Sequence, residues 1–240
     1  MHIIFIIYIF SLVFGLDCID DIEISLWGKC YNVQETNRLN VSGAGLSGEI
    51  PIQIAKLSNL YFIDLSNNRL TGPIPKEIGD LENLNFLYLQ DNNLTGSIPK
   101  EIGNLTSLKR LFLSSNRLTG SIPKEIGNLI KLEYLYLFKN HLTGSIPSQI
   151  EYLTELYKLD ISNNNLTGPI PNEIGSMLNL NSIRLFKNDL SGSIPSSLQN
   201  LKQLEFLFIE DNSFSGEVSD QIKMIKNLKH FNYKNKVKDQ

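Results

Sequence analysis

An interval of 24 residues governs this chain. Leu60, Leu84, Leu108, Leu132, Leu156, Leu180, Leu204 and Leu228 stand at that spacing, and successive copies carry the pattern L-x-x-L-x-L-x-x-N-x-L-T/S-G-x-I-P. A fixed period of this size means that one small structural unit is repeated, and a unit this small cannot bury its apolar side alone. The copies must stack into an α/β solenoid whose core runs continuously from one to the next. A solenoid offers a long row of variable side chains on one broad face, which is the geometry of recognition rather than of an enclosed catalytic pocket.

Positions within a copy divide into core and surface. In Leu60–Asn83, the residues Leu60, Ile63 and Leu65 alternate inward along a short strand, while Leu70, Ile74, Ile78 and Leu81 are the apolar residues of the returning half. Asn68, Asn92, Asn116, Asn140, Asn164, Asn188 and Asn212 form one column. Seven aligned amides could hold a ligand if they faced out. Their place just after the strand instead predicts an inward ladder, donating to and accepting from the turn's backbone and the next coil's Asn. A buried polar group left without a partner costs about 1–3 kcal/mol. A glycine column from Gly48 to Gly216 suits a turn with positive φ, and a proline column from Pro51 to Pro195 predicts an extended segment at an edge. No glycine belongs to a phosphate-binding motif.

These residues resemble the plant-type leucine-rich repeat. Leu84–Ser107, which reads LNFLYLQDNNLTGSIPKEIGNLTS, carries the whole signature, and the T/S-G-x-I-P segment separates this subtype from other leucine-rich repeats. The resemblance covers Thr36 to Asn227. It implies a curved right-handed superhelix with a parallel β-sheet on the concave face and short 3-10 or irregular segments on the convex face. It further implies binding of peptides, steroids, oligosaccharides or proteins, as in receptor-like kinase and receptor-like protein ectodomains and polygalacturonase-inhibiting proteins. Neither catalysis nor a cofactor is implied.

The ends read differently. Residues 1–15 hold an apolar run from Ile3 to Phe14, too short for the roughly 20 residues that span a bilayer and suited to a secretory signal cut after Gly15. An uncleaved anchor is the alternative. Residues 16–35 are acidic and carry both cysteines, Cys18 and Cys30. Export exposes them to an oxidising compartment, so a disulfide is expected. Two thiols make a poor zinc site. The segment is similar to the family's cysteine-paired cap, with Trp27 read as cap core, although the usual plant cap spaces its cysteines differently. Residues 36–227 then hold eight repeats, and 228–240 a degenerate terminal repeat with a basic tail. Ala44 replaces the ladder Asn in the first copy, Ser219 replaces Pro near the end, and Lys236 and Lys238 stand where Asn and Leu belong.

Outward strand positions are free of core duties. One column reads Phe62, Phe86, Arg110, Tyr134, Lys158, Ser182, Phe206; its neighbour reads Asp64, Tyr88, Phe112, Tyr136, Asp160, Arg184, Phe208; a third adds Phe138 and Phe186. Phe86, Tyr88, Phe112, Tyr134, Tyr136 and Phe138 are expected to cluster over three adjacent coils, with Arg110, Lys139 and His141 beside them. Such a patch marks a ligand-binding surface, because large apolar patches and aromatic–arginine groupings concentrate at interaction sites. The alternative is plain cross-strand pairing, which stabilises by about 0.2–1 kcal/mol per pair. Asn40, Asn93, Asn104 and Asn165 begin N-x-S/T sequons; glycans at Asn40 or Asn93 are expected to crowd the concave side.

A formal net charge of -3 gives no footprint for nucleic acid. An enzyme is not expected. Asp64 and Asp160 lie four coils apart, about 19 Å by strand spacing, against the roughly 5–9.5 Å of paired-carboxylate glycoside chemistry. The expected function is therefore a secreted or cell-surface monomeric module that binds a protein, peptide or glycan, with no transmembrane segment in the mature chain. The alternatives are an inhibitor of an extracellular cell-wall hydrolase and an adhesive scaffold.

Overall fold

The computed structural model describes residues 18–216 and 220–234. Segment 1–15, Ser219, Lys236 and Lys238 lie outside the described residues. Among the described residues, no helix is long and apolar enough to cross a membrane.

Each copy contributes a three-residue strand, and the strands pair in parallel with a shift of one period. Arg38–Asn40, Phe62–Asp64, Phe86–Tyr88, Arg110–Phe112, Tyr134–Tyr136, Lys158–Asp160, Ser182–Arg184, Phe206–Phe208 and His230–Asn232 make one nine-stranded sheet in chain order. The middle residue of seven of these strands, from Leu39 through Leu87 to Leu207, is buried between two neighbours that are more open, as a period of two requires. On the opposite side stack short 3-10 helices: Ile52–Lys56, Lys76–Asp80, Lys100–Asn104, Lys124–Asn128, Ser148–Tyr152, Asn172–Ser176 and Ser196–Asn200. A proline stands before each of them, where its missing N–H has no bond to lose. Backbone hydrogen bonds hold the strand side near 4.8 Å per coil, while the helix side is bulkier, so the sheet lies on the concave face.

Tight stacking explains a second glycine column. A Cβ on Gly103 would stand 2.5 Å from the Glu125 carbonyl oxygen of the next coil, and Gly79, Gly127 and Gly175 meet their neighbours in the same way. The glycines of the T/S-G-x-I-P segment serve differently: Gly120 has φ +74 and turns the chain out of the flank.

One apolar core runs the length of the array from Ile24 to Ile225. It is closed at its first end by an antiparallel hairpin of Glu23–Leu26 and Lys29–Asn32. Trp27 and Gly28 form the two-residue turn, both with positive φ, and so match the twist of the hairpin strands. Ile24 and Leu26 are buried, Trp27 packs partly against the core, and Cys18 is bonded to Cys30 with Cα atoms 5.4 Å apart. Closing so short a loop stabilises by about 3 kcal/mol.

The asparagine column faces inward, with one correction to the expected pattern. Asn116 Nδ2 donates to Leu113 O in its own coil at 3.2 Å and to Leu89 O one coil back at 2.9 Å. Its Oδ1 accepts from Leu94 N at 3.0 Å. Leu89 O also receives Nδ2 of Asn92. Neighbouring asparagines therefore do not bond each other; they share a carbonyl. Both ends of the short amide are already committed to backbone, and a carbonyl oxygen has two lone pairs to offer. The same bonds recur from Asn68 to Asn212.

Two further columns were not foreseen. Asn59, Asn83, Asn179 and Asn227 donate Nδ2 to carbonyls of the preceding coil at 2.7–3.1 Å. Asn67, Asp91, Ser115, Lys139, Asn163, Lys187 and Asp211 adopt left-handed φ of 52 to 57° just before each ladder residue.

Replacing Asn116 by Ala leaves the buried Leu94 N–H without its acceptor and is expected to cost about 1–3 kcal/mol in a denaturant melt. Asn128→Ala, at an exposed helix end, is expected to stay within about 0.5 kcal/mol.

Candidate ligand-binding face

The sheet register turns the outward columns into rows. Phe62, Phe86, Arg110 and Tyr134 lie side by side, as do Asp64, Tyr88, Phe112, Tyr136 and Asp160. Rings in adjacent strands come into contact. Tyr88 and Phe112 have centroids 4.9 Å apart, and Phe112 and Tyr136 stack at 4.5 Å with planes 16° apart. Phe86 joins through Tyr88, and Phe138 and Tyr134 join through Tyr136. Phe62 at one end and Tyr157 at the other extend the chain of rings. Apart from the exposed Tyr157, the rings are half-buried, so each keeps an open edge or face above the sheet.

Arg110 sits inside this floor. Its guanidinium lies 5.5 Å from the Phe86 ring and 5.0 Å from the Tyr134 ring, and Nη1 donates to Tyr88 Oη at 3.4 Å. A cation between two rings is held by their quadrupoles, so Arg110 is part of the floor rather than a free arm.

Beyond Tyr136 the rings give way to small and charged residues. Lys158, Asp160, Ser162 and Ser182 replace them, and the surface dips into a depression of about 420 Å³. Tyr136 and Phe138 wall one side, Phe186 and Phe206 the other. Ser182 is buried and short, which makes the room. Phe206, Phe208 and His230 then form a second stacked group. Arg184 lies 5.3 Å over the Phe208 ring.

The structure brings together most of the residues expected in the cluster. Phe86, Tyr88, Arg110, Phe112, Tyr134, Tyr136 and Phe138 are contiguous. Lys139 is exposed in its left-handed turn and borders the depression. His141 does not join them. It occupies a flank column, where its N–H donates to Leu118 O, outside the concave sheet. Asn93 stands in that same column, bonded to Leu70 O, so of the two sequons expected to crowd the concave side only Asn40 lies on a concave strand. Both residues follow a ladder Asn, after which the chain has already left the sheet. The depression itself was not foreseen. Its residues were legible as columns, but the dip arises from Ser182 lying beside Lys158 on the adjacent strand, which a single repeat does not show.

Asp160 accepts from Ser162 Oγ at 2.6 Å and from Ser162 N at 3.1 Å. Burial pushes its carboxyl above the usual carboxylate range, against the opposing pull of Ser162 and the Arg184 charge. Burial also raises the Tyr136 phenol, with the Asp160 charge adding to it. Between the ordinary and the raised Asp160 pKa the folded chain binds more protons than the unfolded one, so stability falls as pH rises through that interval. Asp160→Asn keeps an acceptor for Ser162 without the charge. It is expected to melt higher than the parent at neutral pH, with the gap closing as pH drops below the usual carboxylate range, as read by thermal melts across pH.

Comparison with known proteins agrees with this geometry. Leucine-rich repeat family models match residues 95–142 and, as single repeats, 59–81, 83–105, 155–177 and 179–201. No curated protein matches the chain. Among solved structures, the plant peptide hormone receptor RGFR1 in complex with RGF2 is 39% identical with a TM-score of 0.77, covering 79% of this chain and 30% of that one. A TDR receptor is 39% identical with a TM-score of 0.82, covering 84% of this chain and 35% of its own. A plant ice-binding protein is 32% identical with a TM-score of 0.69, covering 79% and 61%. The chain thus spans less than two thirds of each. The signature, the nine-stranded parallel sheet and these matches show that the chain belongs to the plant-type leucine-rich repeat family and is similar to receptor-kinase ectodomains.

Proposed function

We propose that the chain is an extracellular recognition module that holds a protein, peptide or glycan ligand against its concave face. The observation that carries this is the run of half-exposed rings from Phe86 to Phe138, continuous across three coils and ending beside a polar depression. Aromatic residues and Arg dominate binding hot spots because they bring large area at low entropy cost. Similarity to a plant peptide hormone receptor in complex with RGF2 supports a peptide first among the three ligand classes.

On this reading residues 1–15 direct export, 16–35 cap the array, 36–227 supply eight repeats and 228–240 end it. The module works as a monomer and needs no cofactor or catalytic group. Asn104 and Asn165, both exposed away from the concave sheet, can carry glycans without covering the floor.

A second reading, an adhesive surface, has its own observation. Thr71, Thr95, Thr119, Thr143 and Thr167 form an exposed row on the flank, one per coil, each N–H bonded to a glycine of the coil before. So regular a row suits a repetitive ligand, and a plant ice-binding protein shares the fold. Thermal hysteresis measured on the purified chain, lost on Thr119→Lys, would establish it.

The leading reading is tested by changing Tyr88, Phe112 and Tyr136 together to Ala. Secretion is expected to persist, since these rings stand outside the core, while ligands captured from the native extracellular fluid fall at least about tenfold by quantitative mass spectrometry, the loss of a little over 1.4 kcal/mol. Unchanged capture rules the floor out.

A further inference from the structure

The geometry points to a more specific ligand: an extended peptide that lays an aromatic or large apolar side chain on the ring floor and, two to four residues away, places an Asp or Glu carboxylate in the depression between Tyr136 and Arg184. This rests on the recognition role proposed above and names the ligand chemistry of the same face.

Three observations carry it. The first is charge. Lys139 and Lys158 border the depression with Arg184, against Asp160 alone, so the pocket has a formal surplus of two positive charges. Asp160 is already engaged by Ser162, whose hydroxyl and N–H both donate to it. Arg184 is exposed with its guanidinium 5.3 Å over the Phe208 ring, and the planar fork of an Arg suits a carboxylate. In the depression Lys158 is half-buried, so its charge has more effect than one on an open surface.

The second observation is spacing. Strands lie about 4.8 Å apart, so the middle of the depression is about 7 Å from the Tyr136 row and about 12 Å from Phe112. An extended peptide crossing the strands advances about 3.3 Å per residue. The carboxylate therefore falls two residues from a side chain seated at Tyr136 and three to four from one seated at Phe112.

The third observation is continuity. The sheet runs past the depression into Phe206–Phe208 and His230–Asn232, where a second stacked group offers more floor. A segment crossing the face has support on both sides of the depression. The carboxylate accordingly belongs to an internal side chain rather than to the peptide's end.

The test is selection from a displayed library of random twelve-residue peptides, anchored at both ends, on the secreted chain. Enriched peptides are expected to pair an aromatic or large apolar residue with Asp or Glu two to four positions away. Against Lys158→Gln/Arg184→Gln the apolar preference is expected to survive and the acidic preference to fall at least fivefold. On the parent, a selected peptide remade with Gln for Glu is expected to bind about tenfold more weakly, a comparison that needs no variant to fold. Enrichment without an acidic residue at that spacing, acidic enrichment that survives the charge variant, or equal binding of the Gln peptide would overturn the proposal while leaving recognition intact. No enrichment on the parent, or the same peptides on the Tyr88→Ala/Phe112→Ala/Tyr136→Ala variant, would also overturn the peptide proposal, whereas the recognition role itself falls only if that variant captures ligands from the extracellular fluid as well as the parent does.

Discussion

A carbonyl oxygen shared by two asparagines is the contact on which the rest of this molecule depends. Each coil must turn sharply as it leaves its strand, and the turn leaves backbone groups facing a dry interior. Leu89 O, bonded by Asn92 from its own coil and Asn116 from the next, shows the solution. One short side chain satisfies a donor and two acceptors while fastening its coil to the one before. The ladder works only if every coil brings its turn back over the one before, which the constant 24-residue interval secures here.

Once the interior is fixed this way, the outward strand residues are released from structural duty. The rings on the first coils stack on one another and stay half-open, and Arg110 is held among them by two rings and a phenol. Farther along, a serine in place of a ring creates a recess, and charges fill its border. An aromatic surface and a polar recess thus sit side by side on one sheet, a pairing of apolar area with a few polar groups that is common in small-ligand and peptide sites.

The architecture was legible because it is written many times over. Period, strand positions, inward Asn and the Cys18–Cys30 pairing could all be read from repetition or from the oxidising environment that an expected export signal implies. What escaped was of two kinds. Some features depend on contacts between coils: Gly103 against Glu125, the second ladder of Asn59 and Asn83, and the recess opened by Ser182. Others depend on where the chain leaves the sheet. His141 and Asn93 lie only one residue past a ladder Asn, yet that residue carries them to the flank. Spacing alone cannot tell a strand's last outward position from its exit. Lys139 shows the same difficulty, since its left-handed backbone suits Asn or Asp better than Lys and nothing in its identity announces it.

Because every bond in the asparagine ladder reaches only one coil back, the array has no preferred length. Duplicating or deleting a whole unit restores each donor to an equivalent acceptor and leaves the interior unchanged. Gene-level gain or loss of one unit would lengthen or shorten the exterior by a single step of about 4.8 Å. Recognition in such a molecule can therefore evolve by addition, with new rows of side chains appended to a ready-made frame.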